Sequence, residues 1–207
     1  DLPKYLNRYC VSDHAVKKTQ TSDRQCILPF GVDADGVAWI LAEGLWWEKA
    51  DTMELTEAML KAMQIHKPIS WVAGKDHISG SIGPFLKKRM RETKTFVSIT
   101  EVTEGADIQQ RAQSIQGRMS MGMVRFPTWH PRWPDMQREI LTFPNGDHDD
   151  VVACLAHIGR ILNRLTEAEL PRPITDTQPK TNTLEWVKRS SDEREERERQ
   201  LIAANNW

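Results

Sequence analysis

"ISWVAGKDHISGSIGPFLKKRMRETKTFVSITEV", residues 69–102, decides the fold class. "ISWVAG" (69–74) reads as a brief strand, "SIGPFLKKRMRE" (81–92) as a basic helix and "TFVSITEV" (95–102) as a second strand. A strand, a crossover helix and a strand make parallel neighbours in one sheet. In such sheets the carboxyl ends of adjacent strands open onto a common crevice. A functional site is therefore expected where residues 74–76 leave the first of these strands.

Working toward the N-terminus, "RYCVSD" (8–13) is a short apolar run that ends on a carboxylate. "QCILPFGV" (25–32) and "VAWILAEGLW" (37–46) flank the turn signal "DADG", which predicts a hairpin. "DTMELTEAMLKAMQIHK" (51–67) has Asp51 as an N-cap with Glu54 three residues on, and Met53, Leu55, Met59, Leu60 and Met63 at roughly helical spacing. The order is βββαβαβ, an α/β protein with a mixed five-stranded sheet flanked by helices. Toward the C-terminus follow "DIQQRAQSIQGRMSMG", helical in composition, "MVRFP", a small strand, and "RWPDMQREILTFP", an amphipathic helix. "DDVVACLAHIGRILNRL" (149–165) is another helix, with Val151, Val152, Leu155, Ile158, Gly159 and Leu162 along one face. Residues 1–165 form the expected domain, 166–183 a Pro/Thr-rich linker and 184–207 a charged helix or disordered arm.

Composition narrows the function classes. With 28 basic against 29 acidic residues in 207, any affinity for nucleic acid has to come from local patches. Cys10, Cys26 and Cys154 are odd in number, far apart and set among apolar residues, which predicts buried thiols in a reducing compartment. No run approaches the ~18 apolar residues of a membrane span, and no G-x-x-x-x-G-K-[ST] phosphate loop occurs. The abrupt start at "DLPKYLNRYC" predicts a domain excised from a longer chain.

The chemistry lies in the acids. "FPNGDHDDVVACLA" (143–156) crowds Asp147, His148, Asp149 and Asp150 at the mouth of a helix, whose dipole favours anions by about 0.3–1 kcal/mol. Asp13 ends the first strand and Asp76 follows the strand at 69–74, so three chain-distant acidic positions converge on one crevice. Clustered carboxylates repel and raise one another's pKa unless a cation neutralises them. Hard oxygen ligands suit Mg²⁺ or Mn²⁺, and two such ions about 4 Å apart serve in-line phosphodiester hydrolysis.

From Tyr9 to Leu165 the chain resembles the nuclease domain of the large terminase subunit of tailed bacteriophages, which has an RNase H-like fold. "CVSD" (10–13), "TSDR" (21–24), "SWVAGKDHISGSIGPFLKKRM" (70–90), "QRAQSIQGRMSMGMVRFP" (110–127) and the "HDD" stretch carry the likeness. The resemblance implies a metal-dependent endonuclease that cuts concatemeric double-stranded DNA during genome packaging. It makes Asp13 the first-strand ligand and Asp150, with Asp149 beside it, the helix ligand. Asp23 matches a further acidic position, and His148 orients a ligand or water. Implied partners are an ATPase domain of the same polypeptide, the small terminase subunit and the portal protein, in the host-cell cytoplasm. The chain departs from the family at Gly74, where a glutamate is usual, at Ile108 for a lysine and at Ala153 for an acid; Asp76 is the substitute for the missing glutamate. Lys87, Lys88, Arg89, Arg111, Arg118 and Arg125 are the expected phosphate partners. A second expectation is a catalytically impaired DNA-guiding or motor-assembly module on the same fold.

Overall fold

The computed structural model of the chain describes residues 2–14, 24–75, 78, 82–103, 107–162 and 183–204. Asp23, Asp76 and all of the 166–183 linker but Thr183 lie outside them. The chain divides into two compact units, Asp1–Glu169 and Leu170–Trp207.

The first unit is a mixed sheet between two layers of helices. Its strands are β1 (Asn7–Asp13), β2 (Gln25–Val32), β3 (Ala38–Ile40), β4 (Trp46–Glu48), β5 (Ser70–Gly74), β6 (Ser98–Val102) and β7 (Val124–Arg125). They run in the order β6-β5-β1-β2-β3-β7, with β4 also paired to β2. The predicted crossover is present: β5 and β6 pair in parallel, Ser70 opposite Ser98 and Gly74 opposite Val102, and β1 joins β5 in parallel with Cys10 opposite Trp71.

The described sheet has seven strands where five were expected. One extra strand is β7, the small "MVRFP" strand; the other arises because residues 37–46 are two strands, not one. Both β3 and β4 lie antiparallel on the same edge of β2, β3 against Phe30–Val32 and β4 against Gln25–Ile27. Between these stretches stands Pro29. Its carbonyl accepts from the Leu41 N–H at 2.9 Å, but proline has no N–H to return, so the ladder breaks. The chain turns at Gly44, φ +75°, before pairing resumes at Trp46.

Alternation along the strands sorts side chains to two faces. Tyr9 and Val11 of β1, with Cys26, Leu28, Phe30 and Val32 of β2, pack under α3 (Ile108–Ser120), α4 (Trp133–Thr142) and α5 (Asp150–Ile161). Cys10, Ile27, Trp71 and Ala73 face the other way, toward α1 (Thr52–His66) and α2 (Gly83–Glu92). Trp71 is fully buried and its indole N–H donates to Ser12 Oγ at 2.8 Å, so no polar atom of the ring is orphaned there. The predicted capping box opens α1: the Asp51 carboxylate accepts from the N–H groups of Met53 and Glu54, and Glu54 accepts from the Asp51 N–H. Gly159 lets α5 press onto α3, since a Cβ there would stand 2.7 Å from the Ile115 backbone nitrogen.

In the second unit α6 (Leu184–Ala204) is a 21-residue helix, exposed at residues 191–196 of its charged middle. Among the described residues no helix is long and apolar enough to cross a membrane.

Candidate active site

One row of the sheet builds the site. Asp13, the last residue of β1, stands opposite Cys26, and Cys26 stands opposite Trp47 of β4. Ser12 is paired with Ala73, so one step along the same register brings Gly74 beside Asp13. Side chains directly opposite one another share a face, and the face of this row is the one that carries α5.

The first turn of α5 lies over the row. Trp47 Nε1 donates to Asp150 Oδ2 at 3.2 Å, and Cys154, one turn on, donates Sγ–H to the Cys26 carbonyl at 3.6 Å. Asp150 is 3 % exposed. Burial pushes the Cys26 thiol up, against its bond with Cys154, and the carboxylates of Glu139, Asp150 and Asp13 push it further. Cys154 is raised by burial and by Cys26, with Asp13 and Asp150 again contributing. By register and by the Trp47 indole bond, Asp13 and Asp150 both border the Cys26–Trp47 pair.

Glu139 was not singled out from the sequence. It sits on the inner side of α4, 5 % exposed, and Oε1 accepts from the N–H groups of Val151 at 2.6 Å and Val152 at 3.1 Å. It thereby holds two of the free donors at the mouth of α5. Oε2 is buried without a hydrogen-bond partner among the described residues. Burial raises the carboxyl to about 7 despite the two backbone donors, and the charges of Asp150 and Asp149 add to the rise. An Arg132–Glu48 ion pair ties the start of α4 to β4.

A cavity of about 370 Å³ opens here, with Arg24, Trp47, Arg138, Glu139 and His148 among its walls. The Arg24 guanidinium lies over the Trp47 ring, 4.7 Å from its centroid. Asp149, the residue before α5, and His148 are exposed, so of the adjacent aspartates only Asp150 is buried.

None of the six expected phosphate-binding cations lines this cavity. Lys87, Lys88 and Arg89 are on α2, the layer across the sheet, and Arg89 is engaged with Glu57 at 2.7 Å and Glu92 at 2.6 Å. Arg111 and Arg118 are on α3, where Arg118 Nη1 donates to the Gly36 carbonyl at 3.3 Å, and Arg125 is on β7. Arg24 and Arg138 are the cations the fold does bring to the cavity. Among the described residues no three carboxylate, imidazole or thiol side chains already close on one point at ligating distance.

No family model and no curated protein matches the chain. Solved structures do. The human cytomegalovirus terminase nuclease domain superposes with TM-score 0.56 and 11 % identity over 76 % of this chain and 85 % of its own. The same domain, Mn-soaked and inhibitor-bound, gives 0.50 and 8 % over 75 % and 82 %. The large terminase nuclease of thermophilic phage G20c gives 0.53 and 16 % over 73 % and 80 %. The large terminase of a second thermophilic bacteriophage, in complex with ADP, gives 0.50 and 11 % over 77 % of this chain and 40 % of its own. The chain thus has the RNase H-like fold of terminase nuclease domains.

Proposed function

We propose that this chain is a divalent-metal-dependent endonuclease that hydrolyses double-stranded DNA, and that it serves genome packaging as a terminase nuclease. One observation carries the reading: carboxylates from β1, α4 and α5 gather at the end of one sheet row, beside a cavity walled by two arginines. The donor set fits Mg²⁺ or Mn²⁺, because hard oxygens suit these ions and the buried Glu139 Oε2 has no donor among the described residues. The Mn-soaked state of the cytomegalovirus domain agrees with that choice.

Asp13 and Asp150 are the residues that would hold the metal, with Asp149 at the rim; Asp76, outside the described residues, is the further candidate by sequence. When bound, two such ions activate water and neutralise charge on the phosphoryl oxygens. Trp47 orients the Asp150 carboxylate through its indole N–H. Glu139 fixes the first turn of α5 through two backbone donors and so sets where Asp150 lies. Arg24 and Arg138 pair with phosphates of the incoming strand, and His148, on the same cavity wall, orients a ligand or water. An ATPase domain, the small terminase subunit and the portal protein are the partners that a packaging role requires, in the host-cell cytoplasm.

The test is relaxation of supercoiled plasmid in Mn²⁺ and in Mg²⁺. Asp150→Asn is expected to lower cleavage by at least about 100-fold with the melting temperature little changed. Cleavage that persists in that variant, or that needs no metal, overturns the proposal. Gly74, buried beside Asp13, favours a second reading in which the site is impaired. In that case the native chain is inert and Gly74→Glu acquires Mn²⁺-dependent cutting.

A further inference from the structure

We infer that the face of the sheet turned away from Asp13 and Asp150 carries a second nucleic-acid site, which takes unpaired nucleotides between Arg8 and Arg125. The register builds it. Arg8 stands opposite Gly31, Gly31 opposite Trp39, and Trp39 opposite Arg125, one row across β1, β2, β3 and β7. The neighbours of these residues along each strand, Tyr9, Phe30, Ala38 and Val124, all belong to the core under α5, so the row itself faces the other way. Two guanidinium groups therefore flank an indole on one surface. At the middle of the row the Leu6 side chain covers Gly31, its Cβ 3.0 Å from where a Gly31 Cβ would stand, so the accessible part of the row is Arg8 at one end and Trp39 with Arg125 at the other.

Past the end of α1 this row becomes the floor of a cavity of about 670 Å³, walled further by Phe126, Trp129 and His66. Trp129 is 77 % exposed, a large ring with no core to fill. Trp39 is fixed, its indole N–H donating to Asp33 Oδ2 at 2.7 Å while Asp33 Oδ1 accepts from the N–H groups of Asp35 and Val37. Arg8 and Arg125 make no ion pair among the described residues. Burial lowers the His66 pKa, against the pull of the Glu43 carbonyl it bonds, and the nearby Arg8 charge lowers it further. The Glu43 carboxylate is the opposing charge on this wall.

Cations beside the exposed Trp129 ring and the half-buried Trp39 match a polymer that has both phosphates and free π-faces. Duplex DNA hides its base faces, so the aromatic wall selects unpaired nucleotides. Arg8 and Asp13 are at opposite ends of β1, about 17 Å apart at strand rise, so this site is separate from the cavity beside Asp150.

The experiment is fluorescence anisotropy of a labelled oligothymidylate of about ten nucleotides, in EDTA, so that the result does not depend on cleavage. Trp129→Ala is expected to weaken binding about tenfold, and the Arg8→Ala/Arg125→Ala pair at least as much, with the salt slope reduced by about 1.4. All three side chains are removable without loss of core, which matched melting curves will confirm. Competition by free dTMP at concentrations comparable to the strand marks a mononucleotide site, and competition by strands alone marks a track; both retain the inference. Unchanged affinity in these variants overturns it, as does a blunt duplex that binds as tightly and is weakened equally by Trp129→Ala.

Discussion

Glu139 binds two backbone donors through one carboxyl oxygen and leaves the other buried without any among the described residues. Its carboxyl, raised from an ordinary 4.5 to about 7, makes stability depend on pH in a definite sense. Below the unfolded value both states are protonated and no penalty arises. As pH rises from about 4.5 through about 7, the unfolded chain releases its proton first, so stability falls, and above that range the loss is complete. Denaturant titrations at pH 5 and pH 8 are expected to show this decline in the metal-free native chain, and Glu139→Gln, which retains an acceptor for Val151 and Val152, is expected to flatten it. An unaltered slope in the variant would count against the assignment. Asp13 and Asp150 were legible as candidates in the sequence because local pattern marks both positions, the end of an apolar strand and the mouth of an apolar helix. Glu139 was not, because an amphipathic helix is read with its charges toward solvent. Its one signal was position: Glu139 follows Met136 by three residues and precedes Phe143 by four, squarely on the apolar stripe.

Among the elements, α3 and α5 approach so closely that a Cβ on Gly159 would stand 2.4 Å from Ser114 Oγ and 2.9 Å from Ile115 Cβ. Gly159→Ala gains helix propensity yet is expected to destabilise by about 1–3 kcal/mol, since part of the clash is with backbone. In a domain of this size that lowers the melting temperature by roughly 2–4 °C per kcal/mol; a thermal melt at or above the native value would show that α3 yields without cost. The crossover β5-α2-β6 and the capped α1 were readable because each rests on local signals, a period and a cap. The division of residues 37–46 was not, since its cause is Pro29 on the partner strand, and the run itself is apolar throughout. The cations of α2 were misleading for a related reason. Sequence shows that Lys87, Lys88 and Arg89 are basic, but topology decides that they lie across the sheet from Asp150.

At the scale of the molecule, every described member of the three apolar clusters precedes residue 163. A chain ended at Glu169 is therefore expected to melt cooperatively within about 2 °C of the full chain, read by circular dichroism. A broad transition would mean that residues 170–207 contribute to the core. The two-layered sheet also divides the thiols, Cys10 to the α1/α2 layer and Cys26 with Cys154 to the α5 layer, each fully buried and each pushed up by burial. Because only a thiolate reaches an alkylating reagent, and none of these is ionised or accessible while its layer is closed, modification has to wait for an excursion from the native state. Timed alkylation followed by peptide mapping would thus clock the breathing of each layer separately, with no probe added to the chain.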